Sequence, residues 1–207
     1  MKRLKDKHQG ETVWIIGKGY SLIHIKRSDI GSGPIIAIYE SLVPIEVLGF
    51  PNEIYSLQKD GGLFKDSVAI FDNKPISPDC TVRQCDKCPG VVRPARAGLI
   101  LHDLESKYCF EDYEPRYVFT LEEIGLPENQ FSLVCAIKIG QLMGCTKFKF
   151  VSFDAHTSGD PRNAILFHVD GKPIKTEEYF RWIYGMQVKL LPPFLEGLDY
   201  EWITPEK

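Results

Sequence analysis

The 207-residue chain lacks any long hydrophobic run, and its longest apolar stretches have the length of a β-strand. A membrane-spanning helix of about 20 apolar residues is therefore not expected. A strong basic excess is also missing, since the formal net charge is -3, so the composition gives no strong nucleic-acid signal. Because there is no internal repeat and apolar content is an ordinary 43%, we expect one globular domain over residues 1–207.

The basic start, MKRLKDKHQGE, lacks the apolar core of a secretion signal, so a cytoplasmic protein with reduced thiols is expected. Of the six cysteines, Cys80, Cys85 and Cys88 have a spacing typical of a zinc knuckle, with Cys109 as a fourth ligand. The alternative is that these four are free thiols on a loop. The other two adjoin a predicted buried helix and are expected in the core.

Short apolar runs separated by turn residues predict eight strands, and four of these runs are uninterrupted by charged or hydroxyl-bearing aliphatic residues. Such runs are typical of a parallel sheet covered on both faces. The predicted strands are 13–16, 34–39, 53–57, 68–71, 98–101, 116–119, 147–153 and 200–203.

Two helices are predicted between these strands. The first covers about 129–143 and stops at Gly144, and the second begins near Thr176 and stops before Pro192. Alternation of strands and helices predicts an α/β, Rossmann-like fold with a mostly parallel sheet and helices on both faces. The Pro- and Cys-rich range 73–112 has little periodicity, and we expect an irregular insertion or lid there.

The first strand ends in Gly17-Lys18-Gly19, which is either a plain turn or a loop that holds an anion. Glycines allow the backbone to approach a phosphate, and lysine adds charge. A dinucleotide motif needs a third glycine, but the sequence has Leu22 there. Glu40, about 20 residues on, is at the place of a ribose-binding acid. An NAD-dependent oxidoreductase is therefore kept as an alternative.

Two blocks of the sequence resemble one bacterial, archaeal and phage family. VWIIGKGYSL is similar to its VxIxGxGPSL opening, and FSLVCAIKIGQLMGCTKFKFVSFD is similar to a later block that ends in Gly-x-Asp. The family includes domain-of-unknown-function family 115, with pterin-pyrophosphokinase-like members, and the sialyltransferases of glycosyltransferase family 42. The two blocks cover roughly a third of the chain, in family order.

The resemblance implies a nucleotide-binding site whose first loop contacts a phosphate, with the ends of the next two strands at the sugar and base. It assigns that role to Gly17, Lys18, Gly19 and Ser21 in the first block and to Ser132 and Asp154 in the second. The sequence departs from the family pattern at three positions, where Lys18 replaces asparagine, Tyr20 replaces proline and Ser152 replaces glycine.

The segment 154–162, DAHTSGDPR, follows a predicted strand and is dense in chemically active side chains. We expect His156 to act as general base, with Asp154 and Asp160 as catalytic carboxylates or magnesium ligands. Arg162 and Thr157 are predicted to hold a phosphate or a substrate carboxylate. Ordinary turn chemistry is the alternative. His102, after another predicted strand, is a further substrate-binding candidate or part of a solvated loop.

These features predict a nucleotide-dependent transferase, most concretely a glycosyltransferase-like enzyme with a nucleotide-sugar donor and an unidentified acceptor. One alternative is an ATP- and magnesium-dependent diphosphokinase. Another is a non-catalytic nucleotide-binding or interaction module, which would keep the fold without the chemistry. The sequence leaves oligomerisation open.

Overall fold

A computed structural model describes residues 1–58, 63–64, 83–84, 91–93, 96–103, 114–127, 130–160, 168–169, 172–173 and 177–206. The strands of this part of the chain are β1 Thr12–Ile16, β2 Ile35–Ile38, β3 Ile54–Gln58, β4 Leu63–Phe64, β5 Arg83–Gln84, β6 Val91–Arg93, β7 Gly98–His102, β8 Arg116–Phe119, β9 Lys147–Val151, β10 His168–Val169, β11 Lys172–Pro173 and β12 Asp199–Ile203. Its α-helices are α1 Leu42–Leu48, α2 Ser132–Leu142, α3 Asp154–Ser158, α4 Glu177–Leu190 and α5 Pro192–Leu195.

Seven of these strands form one sheet in the order β12-β9-β1-β2-β3-β7-β8. Every neighbouring pair in this sheet is parallel. The chain starts in the middle at β1, moves outward through β2, β3, β7 and β8, and then crosses back to β9 on the other side of β1. This doubly wound order confirms the predicted α/β, Rossmann-like fold.

The central strands are buried on both faces because helices cover both. In β1, Val13 and Ile15 belong to the core under α2, whereas Trp14 and Ile16 belong to the core under α1. β2 alternates in the same way. Unbroken apolar runs are the sequence signature of this double burial. None of the described helices combines the length and apolarity needed to cross a membrane.

The strand predictions differ from the structure mainly at the ends. β9 stops at Val151 instead of reaching residue 153, because Ser152 adopts a positive φ that ends the extended conformation. β7 lies within the range 73–112 and is a member of the main sheet. A small antiparallel sheet, β4-β6-β5, precedes it, and β10 and β11 form a hairpin. The predicted strand 68–71 lies outside the described residues.

The first ten residues run along the edge of the sheet where the strands begin, which we call the amino edge. Their backbone N–H groups at Asp6, His8 and Gly10 donate to the carbonyls of residues 142–144 at 2.8–2.9 Å. The buried His8 ring lies 3.0 Å from the hydroxyl of Tyr55 at the start of β3. The amino edge is therefore covered by the chain itself, along this stretch.

Glu46 is a buried carboxylate on α1 and is only 1% exposed. One of its oxygens accepts hydrogen bonds from the backbone N–H groups of Arg96 and Ala97, at 2.9 and 3.1 Å. These bonds attach α1 to the segment that leads into β7. A carboxylate this deeply buried is stable only when its oxygens have donors.

Replacing Glu46 tests this attachment. Glu46→Ala removes the shared acceptor of the buried Ala97 N–H and the partly buried Arg96 N–H, and we expect it to lower the free energy of unfolding by about 3 kcal/mol. Glu46→Gln keeps a carbonyl acceptor and should cost less than half as much. Urea unfolding measures both, with the exposed Glu196→Ala as control. Equal losses for the alanine and glutamine variants would contradict the assignment.

Candidate functional site

The edge where the parallel strands end, the carboxyl edge, contains the switch point of the sheet between β1 and β9. After β1 the chain passes to the α1 face, where Leu22 and Ile25 are buried. After β9, Phe153 packs on the α2 face. Loops that leave neighbouring strands toward opposite faces form the crevice in which open α/β sheets bind ligands.

The glycine loop after β1 packs directly against the segment after β9. The Gly17 N–H donates to Val151 O at 2.8 Å, and the Gly19 N–H donates to Ser152 O at 2.7 Å. A Cβ atom on Gly17 would lie 2.6 Å from Ser152 O, and one on Gly19 would lie 2.6 Å from Asp154 Oδ2. Both glycines are therefore required by close contact within the protein.

Ser21 and Asp154 join the two sequence blocks. The Ser21 N–H donates to Asp154 Oδ2 at 2.5 Å, and its hydroxyl donates to Oδ1 at 2.6 Å. Both side chains are buried, at 6% exposure each. Because Ser21 lies in the first turn of the short 3₁₀ helix Tyr20–His24, the Asp154 carboxylate occupies the position where such a helix start attracts an anion.

Two residues that directly follow the strands on either side of β1 have a left-handed backbone. Tyr39, directly after β2, has φ 52°, and Ser152, directly after β9, has φ 58°. This conformation is uncommon outside glycine and costs energy, and it occurs preferentially at functional sites. The family that the sequence resembles has glycine at position 152, and the left-handed backbone found there is one that glycine adopts without strain.

Tyr39 connects Lys18 with the start of α2. The Lys18 ammonium nitrogen lies 4.8 Å from the centroid of the Tyr39 ring, a cation–π contact. The Ser132 hydroxyl, in the first turn of α2, lies 3.1 Å from the Tyr39 hydroxyl. Lysine charge, a phenol, a serine hydroxyl and a helix N-terminus are thus grouped beside the crevice.

Two buried amide oxygens have no hydrogen-bond partner among the described residues. They are Oε1 of Gln58 and Oε1 of Gln130. Gln58 ends β3 and its amide N–H donates to Ser56 Oγ, so its side chain lies on the α1 face of the sheet, opposite Tyr39 and α2. Gln130 precedes Ser132 by two residues. Buried acceptors without donors are uncommon and each needs an explanation.

His156, on the short helix α3, is held in a pocket of aromatic side chains. Its ring stacks on Trp202 with centroids 5.0 Å apart and planes at 11°, and its Nε2 lies 2.8 Å from Gln187 Oε1 on α4. Burial lowers the pKa of His156 below the usual histidine range, although the hydrogen bond with Gln187 opposes the shift. His156 is accordingly neutral near pH 7.

The other predicted residues lie at different places along the carboxyl edge. Thr157 is close to Thr204 beyond β12, with hydroxyls 3.3 Å apart, and the Asp160 N–H donates to Ser158 Oγ at 3.1 Å. His102 is at the end of β7, where its Nδ1 is 3.3 Å from Asp103. Because β7 is three strands from β1, His102 is about 14 Å away from the glycine loop.

Several predicted positions are not covered by the described side chains. Arg162 lies outside the described residues, as do the four candidate zinc ligands Cys80, Cys85, Cys88 and Cys109. The Glu40 side chain is not described either. Within the part of the chain that the structure describes, no three His, Cys, Asp or Glu side chains are grouped to hold a metal ion.

The sequence prediction misses four residues of this region. Tyr39 is predicted as the last residue of the strand 34–39, and its place at the end of a strand is a usable signal. Gln130 is predicted only as part of the helix 129–143. Gln187 and Trp202 become relevant only when α4 and β12 pack beside α3.

No protein-family model matches the chain, and neither a curated protein nor a solved structure is significantly similar to it.

The backbone of Ser152 gives a paired mutational test. Ser152→Gly and Ser152→Ala both remove the contact with the Ser21 hydroxyl, but only alanine keeps a Cβ in the left-handed conformation. The glycine variant should therefore be more stable by about 1 kcal/mol in chemical denaturation. Ser41 is a matched control, since it is buried, with its hydroxyl bonded to Ile16 O, but has φ -61°. At position 41 the alanine variant should be more stable than the glycine variant. The same ranking of glycine and alanine at positions 41 and 152 would contradict backbone strain at Ser152.

The lowered pKa of His156 gives a pH dependence of stability. The pKa of histidine in an unfolded chain is about 6.5. As the pH falls from about 7.5 to about 5.5, the unfolded state therefore binds a proton before the folded state does. The native state therefore loses stability toward low pH. His156→Gln keeps a donor for Gln187 and removes the titration. We expect the stability advantage of the wild type over this variant to shrink at the lower pH; an advantage that is constant or grows argues against the shift.

Proposed function

We propose that the protein is a nucleotide-dependent transferase, most concretely a glycosyltransferase-like enzyme that uses a nucleotide-sugar donor. The observation that carries this proposal is the grouping of Lys18, Tyr39 and Ser132 beside the switch point of the sheet. Crevices at this place in doubly wound sheets are the usual sites of nucleotides. The resemblance of the two sequence blocks agrees with the same class of ligand.

In this proposal the phosphates are bound beside the glycine turn and not within it. The Gly19 side of the turn is filled by Asp154, whose carboxylate would repel a phosphate. Lys18 and the N-terminus of α2 supply the positive charge that a diphosphate needs. This differs from a dinucleotide site, where the glycine backbone itself contacts the pyrophosphate.

The Gln130 oxygen, which has no hydrogen-bond partner among the described residues, supports a ligand that carries hydrogen-bond donors. Amino groups of a nucleobase and hydroxyls of a sugar are such donors. A site that leaves a buried acceptor unpaired without its ligand discriminates strongly against molecules that lack the matching donor. Tyr39, which is bonded to Ser132 two residues after Gln130, adds an aromatic surface.

His156 is the general base of this proposal. If its Nε2 donates to Gln187 Oε1, its Nδ1 keeps the lone pair that accepts a proton. The lowered pKa keeps that nitrogen unprotonated at neutral pH. Thr157 on α3 and Asp160, two residues beyond the end of α3, would orient the acceptor, and magnesium would assist the leaving diphosphate.

A non-catalytic nucleotide-binding module is the second candidate, and one observation favours it. Both Asp154 oxygens accept from Ser21, and the His156 ring is packed against Trp202. Two of the three predicted catalytic side chains therefore have structural partners. This second candidate would bind the same nucleotide ligand as the first but would not convert it into a product.

A thermal-shift panel of CMP, UDP, ADP, ATP and NAD, each with and without magnesium, tests the ligand. We expect a shift with a pyrimidine nucleotide, and Lys18→Ala should weaken that binding about tenfold because one charge-assisted phosphate contact is lost. Lys147→Ala is the matched control, since Lys147 is exposed at the amino end of β9. Titration calorimetry gives the affinities.

The outcomes separate the candidates. A shift that requires ATP and magnesium favours the diphosphokinase, and one with NAD alone favours the oxidoreductase. Binding without hydrolysis or transfer of the matching nucleotide sugar favours the non-catalytic module. If no nucleotide shifts the unfolding temperature, or if Lys18→Ala and Lys147→Ala bind equally well, the proposed site is wrong.

A further inference from the structure

Helix α4 divides its side chains between an inner and an outer face. The inner face contains Tyr184, Gln187 and Leu190, which are partly buried, and it contacts His156 through Gln187. The outer face lies opposite, and all of its members are exposed. Its central line is Glu178, Trp182, Gly185 and Lys189, at positions i, i+4, i+7 and i+11 of the helix.

Helix α4 exposes three large apolar side chains. Trp182, on the central line of the outer face, is 58% exposed, and Met186 and Val188, on the two flanks of that face, are 38% and 49% exposed. These are three of the five exposed large hydrophobic side chains in the described part of the chain; the others are Tyr20 and Tyr200. Exposed apolar side chains grouped along one helix, with charges at the ends of the group, are typical of an interaction surface.

We infer that this face pairs with the same face of a second copy of the chain, with the two helices antiparallel about a two-fold axis. Such an interface must be self-complementary. When Trp182 of one copy faces Gly185 of the other, Glu178 of one copy faces Lys189 of the other. Both pairs share one centre, midway between residues 183 and 184, so a single axis satisfies both.

Shape and charge agree in this arrangement. A Cβ atom on Gly185 would meet nothing within 4 Å, so the glycine leaves room for the indole of the other copy. Glu178 and Lys189, at opposite ends of the outer face, form two equivalent ion pairs across the axis. The line from 178 to 189 is about 16 Å long, so the interface is small and the dimer is expected to be weak.

A charge-swap series tests the pairing. Wild-type protein, Glu178→Lys, Lys189→Glu and the double variant are compared by light scattering and sedimentation from about 5 to about 200 µM, a range that suits a small interface. We expect the wild type to approach twice the 23.6 kDa mass of one chain. Each single swap should weaken the dimer at least about tenfold, and the double swap should restore it.

Mixing the two single variants is the decisive measurement. Glu178→Lys presents two lysines and Lys189→Glu presents two glutamates, so an equimolar mixture should form a heterodimer although each alone is monomeric. Lys147→Glu, an exposed change elsewhere, should leave the dimer unchanged, and circular dichroism checks that all variants are folded.

A wild type that stays monomeric to the highest concentration overturns the proposal, as does a dimer that neither swap weakens or that mixing fails to restore.

Discussion

The hydrogen bonds between Ser21 and Asp154 fix the centre of the molecule. They are buried, they join segments 133 residues apart in the sequence, and they hold the loop after β1 against the loop after β9. The two loops leave for opposite faces of the sheet, and the backbone bonds from Gly17 to Val151 and from Gly19 to Ser152 join them at the same place. Lys18, between the two glycines, and Ser152, with its left-handed backbone, lie directly beside this contact.

Much of the fold could be predicted from local signals. Apolar runs such as 13–16 and 34–39 predict strands because both of their faces are buried, and Gly144 marks the end of α2. Strand ends were less accurate, since the end of β9 depends on the conformation of Ser152. Glu46 gave no local signal at all, because its donors at Arg96 and Ala97 are 50 residues away.

The candidate site was only partly predictable for the same reason. The Gly17–Gly19 loop and Asp154 follow strands that are neighbours in the sheet, and the two motif blocks place them at one site. Their direct contact, in which the Asp154 carboxylate fills the Gly19 side of the turn, depends on side-chain geometry. Tyr39 and Gln187 acquire their roles through residues that are distant in the sequence, Ser132 and His156.

The close fit between Gly19 and Asp154 also constrains how this sequence can diverge. Any side chain at position 19 would collide with the carboxylate at position 154, and a shorter residue at 154 would leave the Ser21 N–H without its acceptor. A smaller residue at position 154 would not make room at position 19 either, because the added Cβ would still lie 2.6 Å from Ser152 O and 2.8 Å from the backbone nitrogen of residue 154. In related sequences with this loop we therefore expect glycine at position 19 whatever residue stands at 154, whereas positions 21 and 154 should change together.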